Sequence, residues 1–361
     1  MRCLLVINSL GSGGAEKLVV DTLIEYEKKG LKTDLFLLNC SKTHFYEKLT
    51  TRTNIEIISA SNYSVYNPIH IYRLLWVIPK YDVIHVHLFP ALYWVGLAKI
   101  LSFSRKPFIY TEHNTSNRRR NIKFIKFLDT IIYKQYTSII TISNSVDKNL
   151  REYLGRRFGN IKKIYNGIDL DEIKQASAYS KCELNLDVNK LYILQVASFT
   201  PQKDQETLIR CIPLLDNSFH LLLVGDGPTK DKCMVLVKDL NIEHRVQFLG
   251  IRKDVPRLLK TVDFIVLASH FEGLSLASVE GLASGKPFLA SDVPGLREVV
   301  IDAGLLFPDG DYTKLAGLIN LLFKDKEFYE QTVKNCINRA KQFDIKIMLN
   351  QYIDVYRNGL H

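Results

Sequence analysis

Apolar residues along this chain alternate between two spacings. Short unbroken runs predict strands at 2–8, 32–39, 55–58, 82–87, 107–112, 137–142 and 162–165. Between them, apolar positions recur at helical spacing over 14–29, 67–78, 90–102, 120–135 and 144–154. Unbroken apolar strands joined by amphipathic crossovers imply a parallel sheet covered on both faces. At Asn166-Gly167-Ile168-Asp169 the pattern stops in a turn, and the polar stretch 172–190 reads as a linker. The pattern then restarts, with strands expected at 191–197, 219–224, 245–249, 263–268 and 287–291. Helices are expected at 204–215, 228–240, 254–260, 275–284, 294–300, 311–323 and 325–341. A last helical segment, 343–357, is expected to cross back to the first domain. The prediction is an α/β protein of two doubly wound, Rossmann-like domains, residues 1–170 with 343–361 and residues 171–342. Such domains bind ligands at the carboxyl ends of their strands, so a cleft between them is the expected site.

Length agrees with this division, since 361 residues exceed what one core usually serves. With 47% hydrophobic and 24% charged residues, the chain falls outside the disordered and low-complexity classes. No run has the length of a membrane span. The start of the chain is a predicted strand rather than a basic, apolar and small-residue leader, so no signal peptide is expected. Cysteines at 3, 40, 182, 211, 233 and 336 show neither CxxC nor zinc-ligand spacing, which predicts a reducing compartment and no structural metal.

Charge changes the picture in the first half alone. Residues 1–175 hold 26 Lys and Arg against 15 Asp and Glu, whereas the remainder holds 22 against 23. The surplus is either an ordinary solvated surface or a face for anionic lipid headgroups or a phosphate-bearing acceptor. No basic motif is interleaved with aromatics as nucleic-acid binding requires, so no nucleic-acid partner is expected. A cytoplasmic protein, peripheral on the inner face of the plasma membrane, fits these features.

Candidate chemistry sits where strands end. Gly11-Ser12-Gly13-Gly14-Ala15-Glu16 follows the first strand and opens the first helix. Gly13 and Gly14 allow a ligand close to the backbone, and helix-terminal amides suit a phosphate. The GxGxxG dinucleotide fingerprint is not met, and a tight turn between strand and helix explains the glycines equally well. Ser269-His270-Phe271-Glu272-Gly273-Leu274-Ser275 ends another strand, and Glu280 lies within the helix that follows. With Ser275 as its cap, that helix carries Glu280 roughly 7–8 Å along the axis. The amides of Gly273, Leu274 and Ser275 then lie between two carboxylates. Glu272 would meet sugar hydroxyls, the amides a diphosphate, and Glu280 ribose hydroxyls. Lys203, in Pro201-Gln202-Lys203-Asp204, stands where a cation neutralises a leaving diphosphate. His113, in Thr111-Glu112-His113-Asn114, ends a strand of the first domain. His85 and His87 share one strand face but lack a third ligand at metal spacing, so they read as core or cleft-lining residues. Arg118, Arg119, Arg120, Lys123 and Lys126 interleave with Phe124, Ile125, Phe127 and Leu128. This segment is a candidate acceptor or membrane face, or else a charged helix start with an inward apolar stripe.

Glu272 and Glu280 resemble the EX7E motif of the GT4 family of glycosyltransferases, which have the GT-B fold. Further similar segments are Gly13-Gly14-Ala15-Glu16, Asn166-Gly167-Ile168-Asp169, Val224-Gly225-Asp226-Gly227-Pro228, Phe248-Leu249-Gly250-Ile251-Arg252-Lys253-Asp254-Val255, Gly281 to Pro287 and Ser291 to Glu298. They extend over nearly the whole chain and are most specific in the second domain. The resemblance implies a retaining, metal-independent transfer from a nucleotide diphosphate sugar, uridine favoured, to a glycan or polyprenyl-diphosphate-linked acceptor. The donor is a substrate, so no cofactor is expected. The setting it implies is bacterial surface-polysaccharide assembly.

The resemblance also implies catalytic roles for Glu272, His113 and Lys203, with His113 near the reacting sugar. The family pattern before Lys203 has an arginine where Ser198 stands here, and Arg252 is the candidate replacement. A nucleotide-sugar epimerase of the same fold is the alternative enzyme. A non-catalytic nucleotide-sugar binder is the alternative outside enzymes, and the glycine loop argues against a nicotinamide oxidoreductase.

Overall fold

The computed structural model describes residues 1–11, 13–59, 63–114, 120, 122–155 and 158–360. The chain divides into two compact units, Met1–Gly167 with Ile345–His361, and Ile168–Asp344.

The first unit is a seven-stranded sheet. Its strands are β1 (Arg2–Ile7), β2 (Lys32–Leu37), β3 (Ile57–Ser59), β4 (Val83–His87), β5 (Phe108–Glu112), β6 (Ser138–Thr141) and β7 (Ile161–Lys163). They pair in parallel in the order β3-β2-β1-β4-β5-β6-β7. Register sets Leu5 of β1 beside Leu35 of β2 on one side and His85 of β4 on the other. Cys3, Leu4, Leu5, Val6 and Ile7 are wholly buried, as helices on both faces of a parallel sheet require. The helix Ile345–Leu360 belongs to this unit and packs on the helix Gly14–Lys28. Tyr356 reaches into the unit's centre, its hydroxyl 3.1 Å from that of Tyr26.

The second unit has six parallel strands: β8 (Leu191–Val196), β9 (Phe219–Val224), β10 (Val246–Gly250), β11 (Phe264–Leu267), β12 (Phe288–Ser291) and β13 (Leu305–Phe307). Their order is β10-β9-β8-β11-β12-β13. Connections from β8 run outward to β9 and β10, then the chain returns to the other side of β8 with β11. That reversal makes the carboxyl ends of β8 and β11 the switch point, where α/β sheets bind ligands. In the first unit the same reversal falls between β1 and β4.

The expected linker contains a short helix, Leu170–Gln175, started by Asp169, whose carboxylate accepts from the amides of Asp171 and Glu172. A helix at His44–Arg52 and the strand β13 were not predicted. Among the described residues, no helix is long and apolar enough to cross a membrane.

Candidate functional site

In the second unit the loops after β8 and β11 are knitted together. Gln195, buried at the end of β8, donates its side-chain amide to the carbonyls of Lys203 (2.8 Å) and Ala268 (3.2 Å). The amide of Gln202 reaches the carbonyl of Phe271 at 2.7 Å, and the backbone N–H of His270 donates to the carbonyl of Gln202 at 2.9 Å. These bonds carry Lys203 to Glu272: the ammonium and Oε1 form an ion pair in which both side chains are largely buried. Ser269 Oγ donates to the same oxygen at 2.8 Å. Removed from water, such charges hold their positions only as a pair, because either alone pays a large desolvation cost.

Behind Glu272 the chain passes very close to Pro294-Gly295. Gly295 has φ +88°, and a Cβ there would lie 2.4 Å from the carbonyl oxygen of Glu272. Glycine therefore permits the approach that seats the Glu272-Gly273 backbone. Ser275 precedes the helix Leu276–Ala283 and does not cap it with its side chain. First-turn amides of a helix have no intrahelical acceptor, so this terminus offers donors to an anion. Glu280 lies within the helix and is buried. Glu272, Lys203 and the Gly273-Leu274-Ser275 backbone thus stand at one helix start, with Glu280 farther along the same helix.

Arg252 has a different engagement. Its guanidinium grips Asp254 through Nε (2.8 Å) and Nη2 (2.6 Å), and Tyr179 donates its hydroxyl to the same carboxylate. Asp254 is held at about 2 by these bonds. Arg252 follows β10, two strands from β8 in the sheet, and Lys203 follows β8.

Asp204, His270 and Asp309 bring ligand-type atoms within 4.8 Å of one another. His270 Nδ1 lies 2.8 Å from Asp309, which raises its pKa above 6.5. The carboxylate of Asp204 already caps the helix Gln205–Cys211 through Thr207.

In the first unit, the candidates lie after β1, β4 and β5. Gly13 is the N-cap of the helix Gly14–Lys28 and Ser12 lies outside the described residues. A Cβ on Gly13 would meet the Glu16 carboxylate at 2.4 Å, so that carboxylate rests over the helix start where an anion would sit. Burial raises its pKa. Asn8, at the end of β1, joins the loop after β4 by donating to the carbonyl of Phe89 (2.7 Å) and accepting from the N–H of Ala91 (3.2 Å).

His113 belongs to a chain of imidazoles. Its Nε2 lies 3.0 Å from His87 Nδ1. His85, the next inward, has Nδ1 2.6 Å from the Tyr356 hydroxyl and Nε2 2.7 Å from the Thr111 hydroxyl. Burial lowers all three pKa values, to about 4 for His113, to about 3 for His85, and well below 6.5 for His87.

The basic segment after His113 divides. Arg118 and Arg119 lie outside the described residues. Arg120 is not a surface group: its side chain is 9% exposed and Nη2 bonds Glu112 Oε2 at 2.5 Å. Glu112 also accepts from Tyr133 (2.7 Å) and from the backbone N–H of Asn114 (3.1 Å). Arg120 is therefore tied to the end of β5, where buried Glu112 demands a cation. Lys123 is exposed at the start of the helix Lys123–Tyr133, as are Ile122, Phe124 (66%) and Phe127 (62%).

Sequence reasoning missed Gln195, Ser269 and Glu112. Each is a polar residue within or at the end of an apolar run, and that mismatch was the available signal.

Residues 12–172 match the family model described as Glycosyltransferase Family 4, and residues 180–342 match the one described as Glycosyl transferases group 1. The chain is 29% identical to the N-acetyl-alpha-D-glucosaminyl L-malate synthase of Bacillus anthracis, over 77% of this chain and 75% of the relative. It is 27% identical to the N-acetylgalactosamine-N,N'-diacetylbacillosaminyl-diphospho-undecaprenol 4-alpha-N-acetylgalactosaminyltransferase of Campylobacter jejuni, over 94% of each. Its fold matches a crystal structure of Anabaena HepE in complex with UDP and glucose, with a TM-score of 0.87 and 22% identity over 99% of this chain and 100% of that one.

Proposed function

Since this chain belongs to the GT4 glycosyltransferases of GT-B fold, we propose that it transfers a sugar from a UDP-sugar to a polyprenyl-diphosphate-linked glycan, with retention of configuration and without a metal ion. The observation that carries this reading is the Lys203–Glu272 pair set before the helix that bears Glu280. In it, Glu272 accepts from hydroxyls of the donor sugar, the Gly273 to Ser275 amides hold the diphosphate, and Glu280 accepts from the ribose hydroxyls.

The bond between the anomeric carbon and the diphosphate oxygen breaks, and the acceptor hydroxyl bonds to that carbon on the same face. Its proton passes to the departing diphosphate. Lys203 neutralises the charge that grows there, the task a metal ion performs in other enzymes. UDP is preferred because the fold is that of a protein crystallised with UDP and glucose, and the lipid-linked acceptor because the Campylobacter relative is named for one. The exposed Phe124 and Phe127 beside Lys123 and Lys126 fit an anionic bilayer surface on which such an acceptor resides.

Transfer is measured with labelled UDP-sugars and undecaprenyl-diphosphate glycans. Lys203→Ala is expected to lower kcat about 10²–10³-fold, as loss of one charge-stabilising donor does elsewhere. Glu280→Ala is expected to raise the KM for donor about tenfold or more, through lost charged hydrogen bonds. Full activity in both folded variants removes the site assignment. Conversion of the UDP-sugar without an acceptor points to the epimerase instead.

A further inference from the structure

We infer that His87 is a positioning residue that fixes His113 as its Nδ1–H tautomer, so that His113 meets a ligand as a hydrogen-bond donor and not as a proton acceptor. The inference rests on the reading of His113 as a group near the reacting sugar. Its geometry stands apart from that reading.

His87 is 1% exposed at the end of β4, and its Nδ1 is 3.0 Å from His113 Nε2. Its other nitrogen, Nε2, is buried without a hydrogen-bond partner among the described residues. His85 does not compete, because the Tyr356 and Thr111 hydroxyls occupy both of its nitrogens. Burial keeps the rings neutral near pH 7, so one proton lies between His87 and His113.

Two arrangements share that proton. In the first, His113 Nε2–H donates to His87 Nδ1, and neutral His87 must then carry its own proton on Nε2. That leaves a buried N–H with no acceptor, which folded proteins rarely tolerate. In the second, His87 Nδ1–H donates to His113 Nε2, and His87 Nε2 keeps only an unshared lone pair. The second arrangement obliges His113 to carry its proton on Nδ1, because the bond made by one ring nitrogen decides the state of the other.

The consequence is chemical. A partly exposed His113 with Nδ1–H can donate to a sugar hydroxyl or phosphate oxygen, but it has no lone pair left to take the acceptor's proton. This agrees with a transfer in which the departing diphosphate takes that proton.

Long-range proton–nitrogen NMR on the full chain with labelled histidine reads the tautomer directly. His113 resonances are identified by their loss in His113→Ala. The expected result is a protonated Nδ1 and a bare Nε2 for His113, with the same state in His87→Asn, whose side-chain amide places an N–H near the lost Nδ1. In His87→Phe, which keeps a ring but no donor, the His113 signals are expected to move toward the other tautomer. Donor kcat/KM should fall about three- to tenfold, the worth of one neutral hydrogen bond, and His87→Asn should restore it. Should His87→Phe fail to fold, the wild-type spectrum alone decides. An Nε2–H on His113 in the wild type overturns the inference, as does a His87→Phe spectrum unchanged from wild type. If His113→Ala transfers sugar at the wild-type rate while the Nδ1–H state holds, the role of His113 in transfer is wrong and the positioning stands.

Discussion

At the scale of single residues, buried histidines and His270 have opposite pH behaviour. His85, His87 and His113 bind a proton more weakly in the fold than in the unfolded chain, where 6.5 applies. As pH falls below 6.5 the unfolded chain takes up protons that the fold refuses, so stability drops. The slope approaches roughly 1.4 kcal/mol per pH unit for each histidine. It persists down to about 4 for His113 and about 3 for His85. His270 has the reverse sign. Asp309 raises its pKa, so its contribution is present below 6.5 and fades as pH rises through the raised value. Denaturant unfolding of the full chain between pH 7.5 and 5 is expected to show marked acid weakening, reduced in His87→Asn, which removes one of the five histidines whose pKa burial lowers. An unchanged slope in that variant would show that the imidazole chain is not what acid attacks. Legibility at this scale followed the local motif. Glu272, Glu280 and Lys203 carry spacing that names their chemistry, whereas Gln195 and Glu112 act through partners that only the sheet brings near. Arg120 reads as surface in a sequence that sets it among four other cations, and nothing local marks Glu112 as its partner.

Elements were more legible than residues wherever they were long. The short, mainly apolar runs of β1 and β9 stand out from the amphipathic segments around them, and both strands lie where predicted. The three residues of β13 are too few to display a period, and the helix His44–Arg52 offers only Phe45, Tyr46 and Leu49, a stripe of little more than one turn. The helix Lys123–Tyr133 holds the opposite lesson. Its apolar positions occupy both sides: Ile132 and Tyr133 are buried, while Phe124 and Phe127, three apart, face out beside Lys123 and Lys126. A helix that spends two phenylalanines on its outer face gains from a lipid interface, where apolar burial and headgroup attraction add. Vesicles containing anionic lipid are expected to retain the wild-type protein in sedimentation, neutral vesicles much less. Phe124→Ser with Phe127→Ser should cut that binding by about tenfold or more, given ~1.5–3 kcal/mol for each buried phenylalanine, without lowering Tm. Equal binding by the double variant would leave the basic surface as ordinary solvated charge.

For the whole molecule, the placement of the last helix determines which piece of chain is a folding unit. The segment 345–361 follows the second unit in sequence but belongs to the first, where Tyr352, Tyr356 and Leu349 are buried and Tyr356 meets both Tyr26 and His85. The second unit is continuous from Ile168 to Asp344 and holds its own core, including Phe219, Leu221, Phe264 and Leu289. It also contains every proposed donor-binding group except Gly13, Gly14 and His113. A fragment of residues 168–344 is therefore expected to unfold cooperatively by itself and to be stabilised by UDP. At a hundredfold excess over Kd the gain is about 2.7 kcal/mol, and Glu280→Ala should abolish most of it. A fragment of residues 1–167 is expected to fold only when residues 345–361 are supplied, joined or as a peptide, since without them the Tyr26 and His85 side chains lose the cover of Tyr356. Circular dichroism melts of the fragments, with and without UDP, measure both. A well-folded 168–344 fragment indifferent to UDP would separate the fold assignment, which would survive, from the placement of the nucleotide, which would not.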